Sequence, residues 1–222
     1  MATVGSWGKG CLKSEKQAIL LAQTTNAPVT DATKGRTSII RSVEDLPAAI
    51  RVLLVTGYTN STPAEGYQAA ANFMAAYKNY SGPVAVILND HDLNGISMNK
   101  ATGGNFDPSL LRLVGAVAQK MLDNAEGKPV LFIGHSDGTS TLDRALGNKG
   151  KRLGDYGNLS IQYFGSPQLW SAADHAVHWT VRNGDPVTWL GSFWRFGASD
   201  TTRIPGWGHN FANYMHDAGG LW

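Results

Sequence analysis

The chain has 222 residues, 42% of them hydrophobic and 16% charged, with a formal net charge of +2. That balance suits one folded domain around one core and excludes a disordered chain. The basic residues are scattered, and Lys149, Lys151 and Arg152 form the only short cluster, so nothing demands nucleic acid or an anionic membrane surface as a partner.

From the N-terminus, residues 1–36 read as a segment peripheral to a single domain over 1–222. The one cysteine, Cys11, excludes an internal disulfide and has no His or acid at motif spacing. The apolar run Ala18–Ala22 is too short for a signal-peptide core. No stretch reaches the length of a membrane span. A cytoplasmic location is therefore the default expectation, with release by lysis or a leaderless route left open.

Arg51–Thr56, RVLLVT, reads as a buried strand. A loop over Gly57–Ser61 follows. Thr62, Pro63 and Glu65 then fit the N-cap, N1 and N3 positions of a capping box. The spacing predicts a helix to about Tyr80, with Tyr67, Ala71 and Met74 inward. Pro83–Leu88 is the next strand and Asn89–Phe106 a polar, glycine-containing loop. Asp107 and Pro108 open another helix, with Leu111, Val114, Val117, Ala118 and Met121 at helical spacing. Pro129–Ile133 is a strand, followed by a turn and a helix from Gly138 to about Leu146. Leu159–Phe164 and Val177–Val181 are two more strands. Trp189–Trp222 has weak periodicity and reads as loops with a short helix after His209. Strands alternating with helices predict an α/β fold, a three-layer, doubly wound, mainly parallel sheet.

One segment points to chemistry. The run Val130–Leu131–Phe132–Ile133 leads straight into Gly134–His135–Ser136–Asp137–Gly138, a G-x-S-x-G between a strand and a helix. On such a sharp turn the serine oxygen is exposed at the carboxyl end of the sheet. The following amide, of Asp137, lies at a helix N-terminus and suits a developing oxyanion.

A serine hydroxyl needs a base, and the base an orienting acid. In a doubly wound hydrolase they follow in the order Ser, acid, His, on loops after strands. That order excludes His91. His135 neighbours the serine and is expected to point away from it, and His175 and His178 precede or open the strand Val177–Val181. His209, in Gly206–Trp207–Gly208–His209–Asn210–Phe211, is the best base, with His216 as the fallback. Asp185, directly after the strand, is the best acid, ahead of Asp200 and Asp174.

Three segments carry a family resemblance. Gly134–Gly138 matches a nucleophile elbow. Tyr163–Phe164–Gly165–Ser166–Pro167 followed by Asn183–Gly184–Asp185–Pro186–Val187 resembles the paired motifs of class 3 type lipases, in which that Asp is the triad acid. His209–Asn210–Phe211 with Tyr214 resembles the H-x-F-x-x-Y carrying the triad His in related families. Over 50–216 the chain resembles an α/β-hydrolase of the compact serine esterase and lipase kind. The resemblance implies a minimal α/β-hydrolase fold and an acyl-enzyme mechanism without cofactor or metal. It also implies an oxyanion hole built from the amides of Asp137 and Tyr58, with Thr59 as the alternative. The Asp137 carboxylate is expected to turn to solvent.

Asn89–Asp90–His91–Asp92 looks like metal ligands, and with them a metal-dependent hydrolase would be a rival, but no further ligands converge at motif spacing. The tryptophans of the C-terminal half, Trp170, Trp179, Trp189, Trp194, Trp207 and Trp222, are mostly packing, with some forming an aromatic rim near Asp185 and His209. Gly103–Gly104 in a polar loop reads as an ordinary surface loop, with a mobile flap as the alternative. Pro186–Gly208 leaves little room for a lid domain, as in cutinase-like enzymes. The expected activity is hydrolysis of a small-molecule, lipid or polymer ester with short to medium acyl groups. A thioesterase or acyltransferase of the same fold and a non-enzymatic binding protein are the alternatives. The oligomeric state is left open.

Overall fold

The computed structural model describes residues 19–23, 37–57, 62–77, 79–89, 106–147, 156–167, 177–188 and 200–218. Eight strands among them form one sheet: β1 Ile19–Ala22, β2 Thr37–Ile40, β3 Val52–Val55, β4 Val84–Ile87, β5 Val130–His135, β6 Leu159–Phe164, β7 Val177–Gly184 and β8 Thr201–Trp207. Their order across the sheet is β2-β1-β4-β3-β5-β6-β7-β8. From β4 to β8 every neighbouring pair is parallel, while β1 runs antiparallel to both β2 and β4.

The helices are α1 Pro63–Ala76, α2 Pro108–Asp123, α3 Asp137–Gly147 and α4 Phe211–Ala218, with a short 3-10 turn at Val43–Asp45. Alternate residues of each strand serve opposite faces. Leu53 and Val55 join a core with Leu113, Val117 and Met121 of α2 and Leu142 of α3. Val52 and Leu54 join a second core with Phe73 of α1 and Phe211 and Tyr214 of α4. Helices on both faces of a mainly parallel sheet make three layers. The central strands β3 and β4 are buried on both sides, which is why they read as unbroken apolar runs.

Three expectations change. Ile19–Ala22 is not peripheral: all four residues are buried inside the sheet between β2 and β4. Within Trp189–Trp222 the helix after His209 forms, but Thr201–Trp207 is strand β8, paired with β7, where loop was expected. It lies at the sheet edge with only Ile204 buried, so its pattern is weak, and Pro205 is tolerated there.

The third change concerns α1, which ends at Ala76 and buries Gly66, Ala69, Ala70 and Phe73. Tyr67 and Met74 lie only half-buried at the flank of that core, and Ala71 is half-buried too. The small residues let the helix backbone press on the sheet. A methyl group on Gly66 would lie 2.6 Å from Leu20 Cδ1 and 2.7 Å from Leu88 Cδ2. The N-terminal cap does form as a capping box, with Thr62 and Glu65 exchanging hydrogen bonds.

Candidate active site

β5 ends at His135, and α3 begins at Asp137. Ser136 alone spans the reversal, with φ at +55°. A non-glycine residue held there costs about 1–3 kcal/mol, which the surroundings must offset. The two motif glycines make room for it. A Cβ on Gly134 would sit 2.6 Å from Thr139 Cα, and one on Gly138 would run into the carbonyl oxygens of Val55 and Thr56. Helix and strands therefore meet backbone to backbone. The Ser136 amide donates to the Phe164 carbonyl at 2.9 Å, and Thr139 Oγ1 donates to the Ser136 carbonyl at 2.6 Å. Thr139 Oγ1 also meets Ser166 Oγ at 2.7 Å.

Asp185 follows β7 and His209 follows β8. Because these strands are parallel to β5, their carboxyl ends deliver both residues to the serine's side of the sheet. His209 Nδ1 lies 2.7 Å from Asp185 Oδ2, and His209 Nε2 lies 2.6 Å from Ser136 Oγ. A carboxylate only accepts, so the ring proton belongs on Nδ1. That leaves Nε2 as an acceptor facing the serine hydroxyl.

Asp185 is buried, and both its oxygens are occupied. Oδ1 accepts from the amides of Val187 at 2.8 Å and Thr188 at 3.4 Å, while Oδ2 also accepts from Tyr214 Oη at 2.5 Å. Burial alone would push the carboxyl up. The hydrogen bond and charge of His209, with the Tyr214 hydroxyl and the Val187 amide, outweigh it and hold the carboxyl below its ordinary value.

His135 does not simply point away. It is buried, its Nε2 lies 2.9 Å from the His209 carbonyl oxygen, and its ring stacks on the His209 ring at 5.0 Å and 28°. Phe211 and Tyr214 lie against the same ring. Burial, with the nearby His209 charge, pushes His135 down to about 3. The ring is therefore neutral, and Nε2–H donates to the carbonyl.

The Asp137 side chain departs from expectation: it is buried, not turned to solvent. Asn89, at the end of β4, donates to its Oδ2 at 3.4 Å, and Thr141 Oγ1 donates to Asn89 Oδ1 at 3.1 Å. A carboxylate at the first turn of α3 is favoured by the helix dipole, and Asn89 gives it a buried partner.

Of the other candidates, His178 pairs with Asp200 at 2.8 Å beside the opposite end of β7. His216 is exposed and contacts Asp217. Trp179 is buried edge-on against Tyr163, whereas Trp207 is 84% exposed. Tyr58, Thr59, Asp90, His91, Asp92, Gly103, Gly104, Trp170, Asp174, His175, Trp189, Trp194 and Trp222 lie outside the described residues. Among the described residues no group of three or more His, Cys, Asp or Glu is placed to hold a metal ion, and no helix is long and apolar enough to cross a membrane.

Sequence reasoning overlooked three contributors. Tyr214 was legible only as the end of H-x-F-x-x-Y, and Asn89 only as one of a run of polar residues. His135 gave no signal, since its partner lies 74 residues away.

No protein-family model and no curated protein sequence matches the chain. Among solved structures, a truncated carbohydrate esterase from gut microbiota is similar at 14% identity and a TM-score of 0.49, covering 80% of this chain and 86% of that one. A cold-adapted esterase from an Arctic intertidal metagenomic library, bound to PEG, is 14% identical with a TM-score of 0.44, covering 78% and 83%. A histone deacetylase from Saccharomyces cerevisiae is 10% identical with a TM-score of 0.43, covering 78% and 81%. The assignment of the fold rests instead on the strand order and on how the serine turn is packed. A parallel run from β4 to β8, flanked by helices and carrying a left-handed serine between the central strand and its helix, makes the chain a three-layer α/β protein with a mainly parallel sheet.

Proposed function

We propose that this protein hydrolyses carboxylic esters through an acyl-enzyme. The observation that carries the reading is the unbroken chain from Ser136 Oγ through His209 to Asp185, with links of 2.6 and 2.7 Å. His209 Nε2 takes the hydroxyl proton as Ser136 Oγ attacks the ester carbonyl. The carbonyl oxygen becomes an oxyanion, bound by the Asp137 amide and a second amide at the end of β3, assigned to Tyr58. Gly57 supports that placement, since a methyl group on it would lie 2.5 Å from Ser136 Cβ. The intermediate collapses, the C–O bond to the alcohol breaks, and His209 returns its proton to the leaving oxygen. Water then repeats the sequence on the acyl-serine, with His209 again as base. Asp185 stays ionised throughout, keeping the Nδ1 proton in place and stabilising the imidazolium.

The test has two arms. A fluorophosphonate probe labels Ser136, and Ser136→Ala abolishes labelling without changing the far-UV spectrum. With p-nitrophenyl butyrate, His209→Ala lowers kcat by roughly 10⁴ and Asp185→Asn by a similar or smaller factor. Labelling that survives in Ser136→Ala overturns the reading.

A further inference from the structure

A second feature beside Ser136, His209 and Asp185 takes no part in that chemistry. An open cleft of about 540 Å³ borders Asn183, Gly184, Asp185, Pro186, Trp207 and Gly208. Trp207 is the one large apolar side chain exposed among the described residues, at 84%.

The display of Trp207 is built into the backbone. Gly206 and Gly208 on either side have φ of +117° and +93°, conformations that side chains rarely adopt. The β7–β8 register shifts between Arg182 and Gly184, which sets Gly184 opposite Trp207. A Cβ on Gly184 would lie 2.5 Å from Trp207 Cδ2, so the indole sits directly against Gly184 of β7. A large apolar ring held toward water by two left-handed glycines is a prepared surface.

We infer that Trp207 and Pro186 form an apolar subsite for the alcohol portion of the ester, a conclusion that rests on the ester-cleaving reading above. Direction decides between the two halves of the substrate. The carbonyl oxygen faces the Asp137 amide and the end of β3, on one side of the serine. The leaving oxygen must take its proton from His209 Nε2, so the alcohol extends toward the His209 side, where Trp207 stands. β8 is three strands from β5, about 14 Å at the usual spacing. Trp207 therefore meets the far end of the alcohol and not the atoms next to the scissile bond. Among the described residues the one charged wall of the cleft is Asp185, and it is already engaged by His209, Tyr214 and two amides. The occupant is accordingly an uncharged, apolar ring that stacks on the indole.

The experiment holds the acyl group constant as acetate and compares 4-phenylphenyl acetate with ethyl acetate. Trp207→Ala lowers kcat/KM at least fivefold for the biphenyl ester and stays within twofold for ethyl acetate, with Trp207→Phe intermediate. An equal loss on both esters would make Trp207 a support for the His209 loop and overturn the subsite, as would no loss on either. A loss that instead tracks acyl length, p-nitrophenyl octanoate against acetate, would overturn its assignment to the alcohol. A readout without turnover keeps the test independent of the chemistry. In a Ser136→Ala background, calorimetric binding of 4-phenylphenol weakens at least fivefold on adding Trp207→Ala, and unchanged affinity overturns the inference. Fluorophosphonate labelling of Ser136 in Trp207→Ala separates the two ideas, since it tests the ester chemistry alone.

Discussion

At the residue scale, His135 shows how tightly the serine turn and the histidine loop are coupled. Folded, it takes up a proton only near pH 3, against an ordinary 6.5. Between those values the unfolded chain binds the additional proton, so stability falls as pH falls through that window. Asp185 acts in the same sense lower down. Its depressed carboxyl adds stability above the ordinary carboxylate range, lost as pH falls through the folded value. The expected outcome is a urea midpoint that drops between pH 6.5 and 4.5, with a shallower slope in His135→Phe. Equal slopes in parent and variant would mean that His135 is not held neutral. His135→Phe also leaves the His209 carbonyl without its donor. Its kcat should fall about tenfold with KM nearly unchanged, the mark of a base out of position. His135→Gln, which restores an N–H at the same reach, should recover part of the loss.

At the element scale, α1 is held by what its inner face lacks. Gly66, Ala69 and Ala70 let it approach β1 and β4 until Leu20 and Leu88 close over Gly66. Two effects compete when Gly66 is replaced. Alanine gains about 1 kcal/mol of helix propensity over glycine, and its methyl meets only the movable ends of two leucines. Gly66→Ala should therefore be near neutral. Valine adds two methyl groups to the same space, and overpacking of that kind costs about 1–3 kcal/mol. Gly66→Val should lower the unfolding midpoint in urea, and adding Leu20→Ala should recover less than Leu20→Ala alone loses. A Gly66→Val protein as stable as the parent would show that α1 does not press on β1. The same contact explains why the inner face of α1 differs from the one its spacing predicts. Helical spacing places Tyr67, Ala71 and Met74 inward, one face over from the small residues that actually meet the sheet. Close packing between backbone and sheet favours small residues, and they carry little hydrophobic signal.

At the scale of the whole molecule, the order of strands decides how the site meets its substrate. Residues 201–207 of the stretch Pro186–Gly208 are spent on β8, which leaves even less chain between acid and base than the sequence suggested. None of the described residues covers Ser136 as a lid domain, and on the proposed reading a long acyl chain is then not fully buried, so each added methylene should gain less than the ~0.8 kcal/mol of full burial. Rates should be highest on short to medium acyl esters. With tributyrin, the rate should show no jump as concentration passes the solubility limit. A sharp rise there, or an optimum at long acyl chains, would require a cover that opens on lipid.

Strong local signals in the chain suffice for the buried runs of β3, β4, β5 and β6, the caps of α1 and α2, and the glycine-flanked serine turn. Each is dictated within a few residues, by periodicity, by an N-cap side chain, or by glycines where a Cβ could not fit. The chain also sets Ser136, Asp185 and His209 in an order compatible with turns after β5, β7 and β8. The remaining features depend on contacts between segments distant in the chain. Ile19–Ala22 is too short to declare itself a strand, and is buried only because β2 and β4 flank it. Strand β8 is an edge with one buried side chain, so its period is faint until β7 is there to pair with it. The 2.6 and 2.7 Å links of His209, the Tyr214 hydroxyl on Asp185 and the clasp of His135 all join residues far apart in sequence. No local pattern encodes such distances, because they follow from the spacing and parallel direction of β5, β6, β7 and β8 once the sheet has formed.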